Sequence, residues 1–345
     1  MLSIAYFIYF KNTNIITQMK KIIYPILFLL SNMSAAQDIK SSHISLVQSV
    51  STDGQLSKTQ NYYFSLNILA GTVSSIKGFE IGGLYNQNNG NMTGFQVSGL
   101  VNNTKGTMKG FQTSGTYNES GNVLGAQNSG LANLAQNVKG IQVAGLFNSA
   151  KEVKGAQISG IFNKATKVNG IQIGLINIAD TLESGGIIGL INILKNGGYS
   201  EVELSVADYQ NIGFAYKSGP RFLYTIVSMG YKFNESNSSL LISGLGLGGL
   251  IPLARKLFLK PELIWHNYFP DDFKFKRNTQ TTHFKLGLMK QVGKVAFTLA
   301  PSIYYGSISR NQTDDVTKIS HFKPIVQYDK GRIGYGISFG VGLVN

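Results

Sequence analysis

"GIQVAGLFNSAKEVKGAQISGIFNKATKVNGIQIGLIN", residues 140–177, states one short unit three times. Glutamine returns at Gln142, Gln157 and Gln172, and asparagine at Asn148, Asn163 and Asn177, while the residues between Asn and the next Gly drift. Followed outward, units open at Gly78, Gly94, Gly110, Gly125, Gly140, Gly155, Gly170 and about Gly185, spaced 16, 16 and then 15 residues apart. Gln96, Gln112 and Gln127 extend the glutamine column; Asn86, Asn102, Asn118, Asn133 and Asn192 complete the asparagine column. An apolar row (Ile76, Met92, Met108, Val123, Val138, Val153, Val168) stands two residues before the glycines.

A 15-residue unit cannot bury its own apolar side chains and is too short for a helix pair. It fits one coil of a β-solenoid, with two short strands and two turns. Coils stack at about 4.8 Å, so seven steps make a rod of about 34 Å. In-register stacking sets each amide on its own copy, where it bonds up and down a column. The Gln and Asn columns are therefore expected to be structural ladders. The alternative treats each unit as a wall strand of one large β-barrel, with Phe95, Val97, Gly99 and Val101 facing out and Gln96, Ser98, Leu100 and Asn102 facing in. Two features favour the coil. The period is one unit rather than two. "GIQIGLIN" also lacks one residue relative to "GAQISGIFN", and in mid-strand that deletion would turn every later side chain to the wrong face.

The position before Asn holds Tyr85, Tyr117, Phe147 and Phe162, with Val101, Ala132, Ile176 and Ile191 between and after them. With the neighbouring Leu row expected inward, this row points outward as a candidate binding or assembly stripe; in a thin coil both rows are buried. Polar residues enter apolar rows in "GFQTSGTYN" and "GAQNSGLAN", and these coils are expected to be looser. "NYYFSLNILAG" (61–71) is a degenerate half-unit, expected to cap the first coil, and residues 37–60 a loose leader within a 37–77 leader and cap region.

Beyond the repeat domain (78–195) the period changes to two. In residues 200–345, "GRIGYGISFGVGLV" places Ile333, Tyr335, Ile337, Phe339, Val341 and Leu343 on one face and mostly glycine on the other. "VAFTLAPSIYY" follows the same scheme. Eight strands are predicted at 201–218, 222–233, 240–251, 257–269, 282–292, 295–309, 318–329 and 332–344. Apolar outside and small or polar inside is the pattern of an antiparallel outer-membrane barrel. Trp265, Tyr268, Phe269, Tyr304 and Tyr305 are expected in its interfacial girdles, and a barrel of this size is filled by its own side chains. The alternative is a soluble antiparallel barrel or sandwich.

Residues 1–36 form an export address: Lys20 and Lys21, an apolar run Ile22–Leu30, and a small-residue exit at Ser34, Ala35 and Ala36. Cleavage is expected after Ala36, and residues 1–18 lie upstream of Met19 as a spurious start. Export to the outer membrane or cell surface of a Gram-negative bacterium follows, with outer-membrane lipid as a partner. The net charge of +14 is scattered with no run of five lysines or arginines, and export argues against nucleic acid. With no cysteine, disulfides, thiol nucleophiles and thiolate metal sites are excluded. "GLGLGG" (244–249) lacks the helix a dinucleotide site needs. His43, His266, His283 and His321 are far apart in sequence, and Asp271-Asp272 and Asp314-Asp315 lie in expected loops. No catalytic residue, cofactor or metal is expected.

The G-x-Q-[VI]-[SA]-G-L-x-N block, preceded by "FSLNILAG" and ending in "GIQIGLIN", resembles a largely uncharacterised family of secreted bacterial surface-repeat proteins. The likeness covers about 64–195, with a weaker echo in 211–231. It implies surface exposure and a repeat architecture, and no activity. The combined expectation is a non-enzymatic surface protein that displays or binds an unidentified ligand. The alternative is a structural protein that self-associates in the envelope; a transporter or enzyme is the least favoured reading.

Overall fold

The structure, a computed structural model, describes residues 39–233, 239–270, 279–307, 324–328 and 331–345. The export segment, the two aspartate pairs and His321 lie outside the described residues. The fold is all-β: a β-solenoid of about nine turns, then a closed antiparallel β-barrel of eight strands. By internal contacts the chain divides into two compact units, residues 1–144 and 145–345.

In the first unit, strands Met92–Ser98, Val101–Ser114, Tyr117–Ser129 and Ala132–Ala144 stack in parallel. Repeat positions lie in register: Gly94 on Gly110 on Gly125 on Gly140, and Gln96 on Gln112 on Gln127 on Gln142. Parallel pairing of successive units excludes the up-and-down wall of one large barrel, whose neighbours must be antiparallel.

From Val101 to Ile188 each coil is one long bent strand closed by a turn at a glycine, most often followed by Leu, rather than two short strands and two turns. The repeat glycines take positive φ (119° at Gly94, 141° at Gly125), which bends the strand without breaking its ladder. The drifting linker is therefore paired strand: Asn122, Val123 and Leu124 pair with Asn137, Val138 and Lys139. The deletion in "GIQIGLIN" falls at the turn, between Ile173 and Ile176, where it leaves the strand faces intact.

Residues 39–60 are not a loose leader. Ile39–Val47 pairs in parallel with Asn61–Asn67, so the 61–71 segment is a coil rather than the cap. The short strand Val50–Ser51 and a 3₁₀ turn, Gly54–Thr59, fold beside that first coil. Its own alternation, buried at His43 and Ser45, uses polar side chains, so hydrophobicity does not reveal it.

In the second unit the coils Phe147–Ser159, Phe162–Ile173, Ile176–Ile188 and Ile191–Asn196 continue the parallel plan. The barrel follows as Gly198–Ala207, Gln210–Pro220, Tyr224–Lys232, Leu240–Gly248, Leu257–Pro270, Thr279–Val292, Val295–Ser307 and Gly331–Val344. Antiparallel pairing of Glu201–Ala207 with Ser338–Val344 closes it. The predicted strand 201–218 is instead a hairpin turning at Asp208-Tyr209, and within 318–329 the described strand is only Val326–Tyr328. Alternation on both sides of a two-residue turn looks like one long strand, which hid the hairpin. "GLGLGG" lies in and just after Leu240–Gly248, with Gly244, Gly246 and Gly248 facing the barrel interior.

Candidate functional site

Both folded parts bury polar groups and leave many apolar ones outside. In the solenoid two polar columns share the interior with the buried row Ile76, Met92, Met108, Val123, Val138, Val153 and Val168, and in the barrel a charged network lies beside Ile226, Ile264 and Met289. In the solenoid the Asn column is buried, and Nδ2 of Asn86, Asn102, Asn118, Asn148 and Asn163 donates twice. Asn102 donates to Asn118 Oδ1 at 2.9 Å and to the Thr113 carbonyl at 2.7 Å; Asn118 donates to Asn133 Oδ1 at 3.0 Å and to the Asn128 carbonyl at 2.6 Å. The same pair of bonds joins Asn148 to Asn163 and Asn163 to Asn177. These amides thus tie their copy in the next coil and the carbonyl that enters that coil's turn. A primary amide at this length supplies two donors and an acceptor together. The column ends in the barrel, where Asn192 Nδ2 donates to Thr225 Oγ1 at 2.8 Å.

The buried Gln column runs Gln112 to Gln96 at 2.6 Å, Gln127 to Gln112 at 2.7 Å, Gln142 to Gln127 at 2.8 Å, and Gln172 to Gln157 at 2.8 Å. Ile187 stands in the column beyond Gln172. At the other end stands Glu80, fully buried, accepting from Gln96 Nε2 at 2.7 Å and Asn67 Nδ2 at 3.1 Å. Burial pushes its carboxyl from the ordinary 4.5 up to about 7, against the donors that favour ionisation. Below pH 4.5 both folded and unfolded states hold the proton. Between 4.5 and about 7 only the unfolded state ionises freely, so stability falls as pH rises and then levels off. Glu80→Gln is expected to abolish that slope and to stabilise the chain above pH 7 by up to about 3 kcal/mol. Denaturant titrations of both proteins at pH 5 and pH 8 read the effect; equal pH slopes would count against it.

The barrel interior holds a second polar assembly, which strand alternation implies but no motif announces. Lys217 Nζ lies 2.8 Å from both Glu203 and Glu262, and Lys260 Nζ lies 2.5 Å from Glu201 and 3.1 Å from Glu203. Tyr224 donates to Glu262 at 2.8 Å and Tyr199 to Glu201 at 2.6 Å. Beyond this network, His266 and His283 come together with ring centroids 4.9 Å apart, flanked by Tyr209, Tyr268 and Tyr304. Histidines 17 residues apart meet because they lie diagonally on the inner face of one strand pair, where His283 pairs with Ile264 and His266 with Thr281. Tyr268 and Tyr304 are therefore interior residues, not girdle residues: they share the inward parity of His266 and His283. Trp265 and Tyr305 stay on the outer wall. Among the described residues no group of three or more His, Asp or Glu could hold a metal ion.

The outer surfaces invert this chemistry. Leu204, Phe214, Met229, Leu245, Trp265, Leu288, Leu299 and Phe339 stand exposed on the barrel wall. On the coils, the Leu row points outward rather than inward. Leu84, Leu100, Leu131, Leu146, Ile161, Leu175 and Leu190 are 40–48% exposed. The reason is the turn: in the coils up to Ile161 a small residue (Gly82, Ser98, Ser129, Ala144 or Ser159) and the Asn after it both face in, leaving the Gly and the apolar residue between them to project. Tyr85, Tyr117 and Phe162 are half-buried and Phe147 is 36% exposed, so this row forms the margin of the face. The residues after the repeat glycines are exposed as well, with Phe79 stacked on Phe95 at 5.5 Å. Thr113 and Asn128 sit in these outer rows and pair with each other, and the register shift of that strand pair lies between Thr104 and Thr107.

No protein-family model matches the chain, and no curated protein matches it.

Proposed function

We propose that this is a non-enzymatic surface protein, anchored in an outer membrane by its barrel, whose solenoid displays a binding surface. The observation that carries this reading is the inversion of the barrel: a lysine–glutamate network inside and leucine, phenylalanine and tryptophan outside. In water that arrangement exposes the apolar wall and hides the charges; in a bilayer both find their medium. The filled interior suits an anchor rather than a pore. The likeness of the repeats to secreted bacterial surface-repeat proteins and the export-type leader support the location. The linker side of each coil, with outward positions such as Glu119, Lys151 and Lys164 changing from coil to coil, is the surface free to evolve toward a ligand.

Exported in a Gram-negative host, the chain is expected in the outer-membrane fraction, released by detergent, with faster gel migration before boiling than after. Leu299→Arg, on the outer wall, is expected to cost about 2–4 kcal/mol and to reduce the assembled fraction. Full recovery of the exported chain in the soluble periplasmic fraction would end this reading.

A further inference from the structure

The outward apolar face of the coils is too extensive for a surface left in water, where large contiguous apolar patches mark contact sites. Two observations say what covers it. The first is charge. One position before the repeat glycines, and so two before the first apolar row, the chain places Lys77, Thr93, Lys109, Leu124 and Lys139 in the first unit and Lys154, Asn169 and Ser184 in the second. That row holds four lysines and no acid, and those lysines are exposed. An apolar face bordered by a basic row is the signature of a surface that meets anionic lipid. The second is continuity. Within residues 145–345 a groove of about 450 Å³ has Ile173, Leu175, Ile188 and Leu190 of the coils on one side and Leu245 and Trp265 of the barrel's outer wall on the other. Within this unit the coil face meets the barrel's outer wall across a groove whose one polar side chain is Thr225. A single apolar medium touching one touches the other.

We propose that the apolar face of the coils rests on an anionic lipid bilayer, with its leucine and phenylalanine rows among the acyl chains and its lysine row at the headgroup phosphates. In this arrangement the groove is filled by acyl chains and the linker side of each coil faces away from the membrane. The proposal rests on the membrane reading of the barrel, since continuity with the outer wall identifies the medium.

The absence of cysteine permits a direct test on the full chain. Single variants Leu100→Cys and Leu175→Cys on the coil face, Leu299→Cys on the barrel wall and Glu119→Cys on the linker side are labelled with an environment-sensitive fluorophore. Each is reconstituted in phosphatidylethanolamine–phosphatidylglycerol vesicles carrying a doxyl-lipid quencher. The expected result is quenching at Leu100→Cys and Leu175→Cys approaching that at Leu299→Cys, and at least about twofold above Glu119→Cys. Quenching at Leu299→Cys alone overturns this inference and leaves the anchor standing. Quenching at none of the sites overturns both. Coil-face labels shielded from lipid and aqueous quenchers alike, with energy transfer between differently labelled copies, overturn it in favour of self-association.

Discussion

Replacing Lys217 with methionine is expected to destabilise the barrel by about 3–5 kcal/mol. Lys217 Nζ contacts Glu203 and Glu262, each at 2.8 Å, and lies 3.6 Å from Glu201. Its removal leaves three interior carboxylates with Lys260 as their one remaining direct ion-pair partner among the described residues. A lost cation in this setting costs more than its own attraction, because the unpaired carboxylates stay buried and desolvated. Pairing the change with Glu203→Gln removes one uncompensated charge and is expected to recover a substantial part of the loss. Urea titration of the detergent-folded chain reads both, with the single tryptophan, Trp265, reporting from the barrel wall. An unchanged midpoint in Lys217→Met would show that the network carries no net stability.

What was legible in the sequence follows the reach of each signal. The period is local, with Gly and Asn in eight units and Gln in six, so the coil could be read from it, as could the identity of the residues that stack on one another. The direction of the Leu row could not, because it depends on where the chain turns: Ser98 and Asn102 both face in across Gly99-Leu100, which breaks simple alternation. The first coil was illegible for a different reason. Its buried residues, His43, Ser45, Ser65 and Asn67, are polar, and a search for apolar periodicity passes over them. In the barrel, alternation identified the outer face of Gly331–Val344 from its sequence alone. It missed the Asp208-Tyr209 turn because both flanking strands alternate. The interior network needed three-dimensional register: Glu201, Lys217 and Lys260 come from three different strands and share no motif. Glu80 takes the glutamine position of the first unit, and its consequence depends on burial, which only the stack reveals.

The second large effect concerns the stack itself. Gly125→Ala is expected to cost at least about 4 kcal/mol and to disrupt the coils on both sides of it. Two penalties act together. Gly125 has φ 141°, a conformation in which an L-residue is strained. A Cβ there would also stand 2.0 Å from the Gly110 carbonyl oxygen and 2.9 Å from its carbon. The obstructing atoms are backbone, so no rotamer change relieves the contact; the coils must separate. Separation lengthens the parallel ladder and, within the same coil pair, the Gln127–Gln112 bond, now 2.7 Å. Since neither buried amide then finds water, the loss compounds rather than relaxes. The glycine between the last coil strand, Ile191–Asn196, and the first barrel strand, Gly198–Ala207, provides the comparison. Gly197 also takes positive φ, at 75°, but a Cβ there meets nothing within 4 Å. Gly197→Ala should therefore cost only backbone strain, about 1–3 kcal/mol. Hydrogen exchange across residues 101–144 separates the two cases: Gly125→Ala should lose protection in the flanking coils, whereas Gly197→Ala should leave them protected. Equal, small effects from both would mean that the solenoid tolerates wider coil spacing and that its amide columns are not what sets its stability.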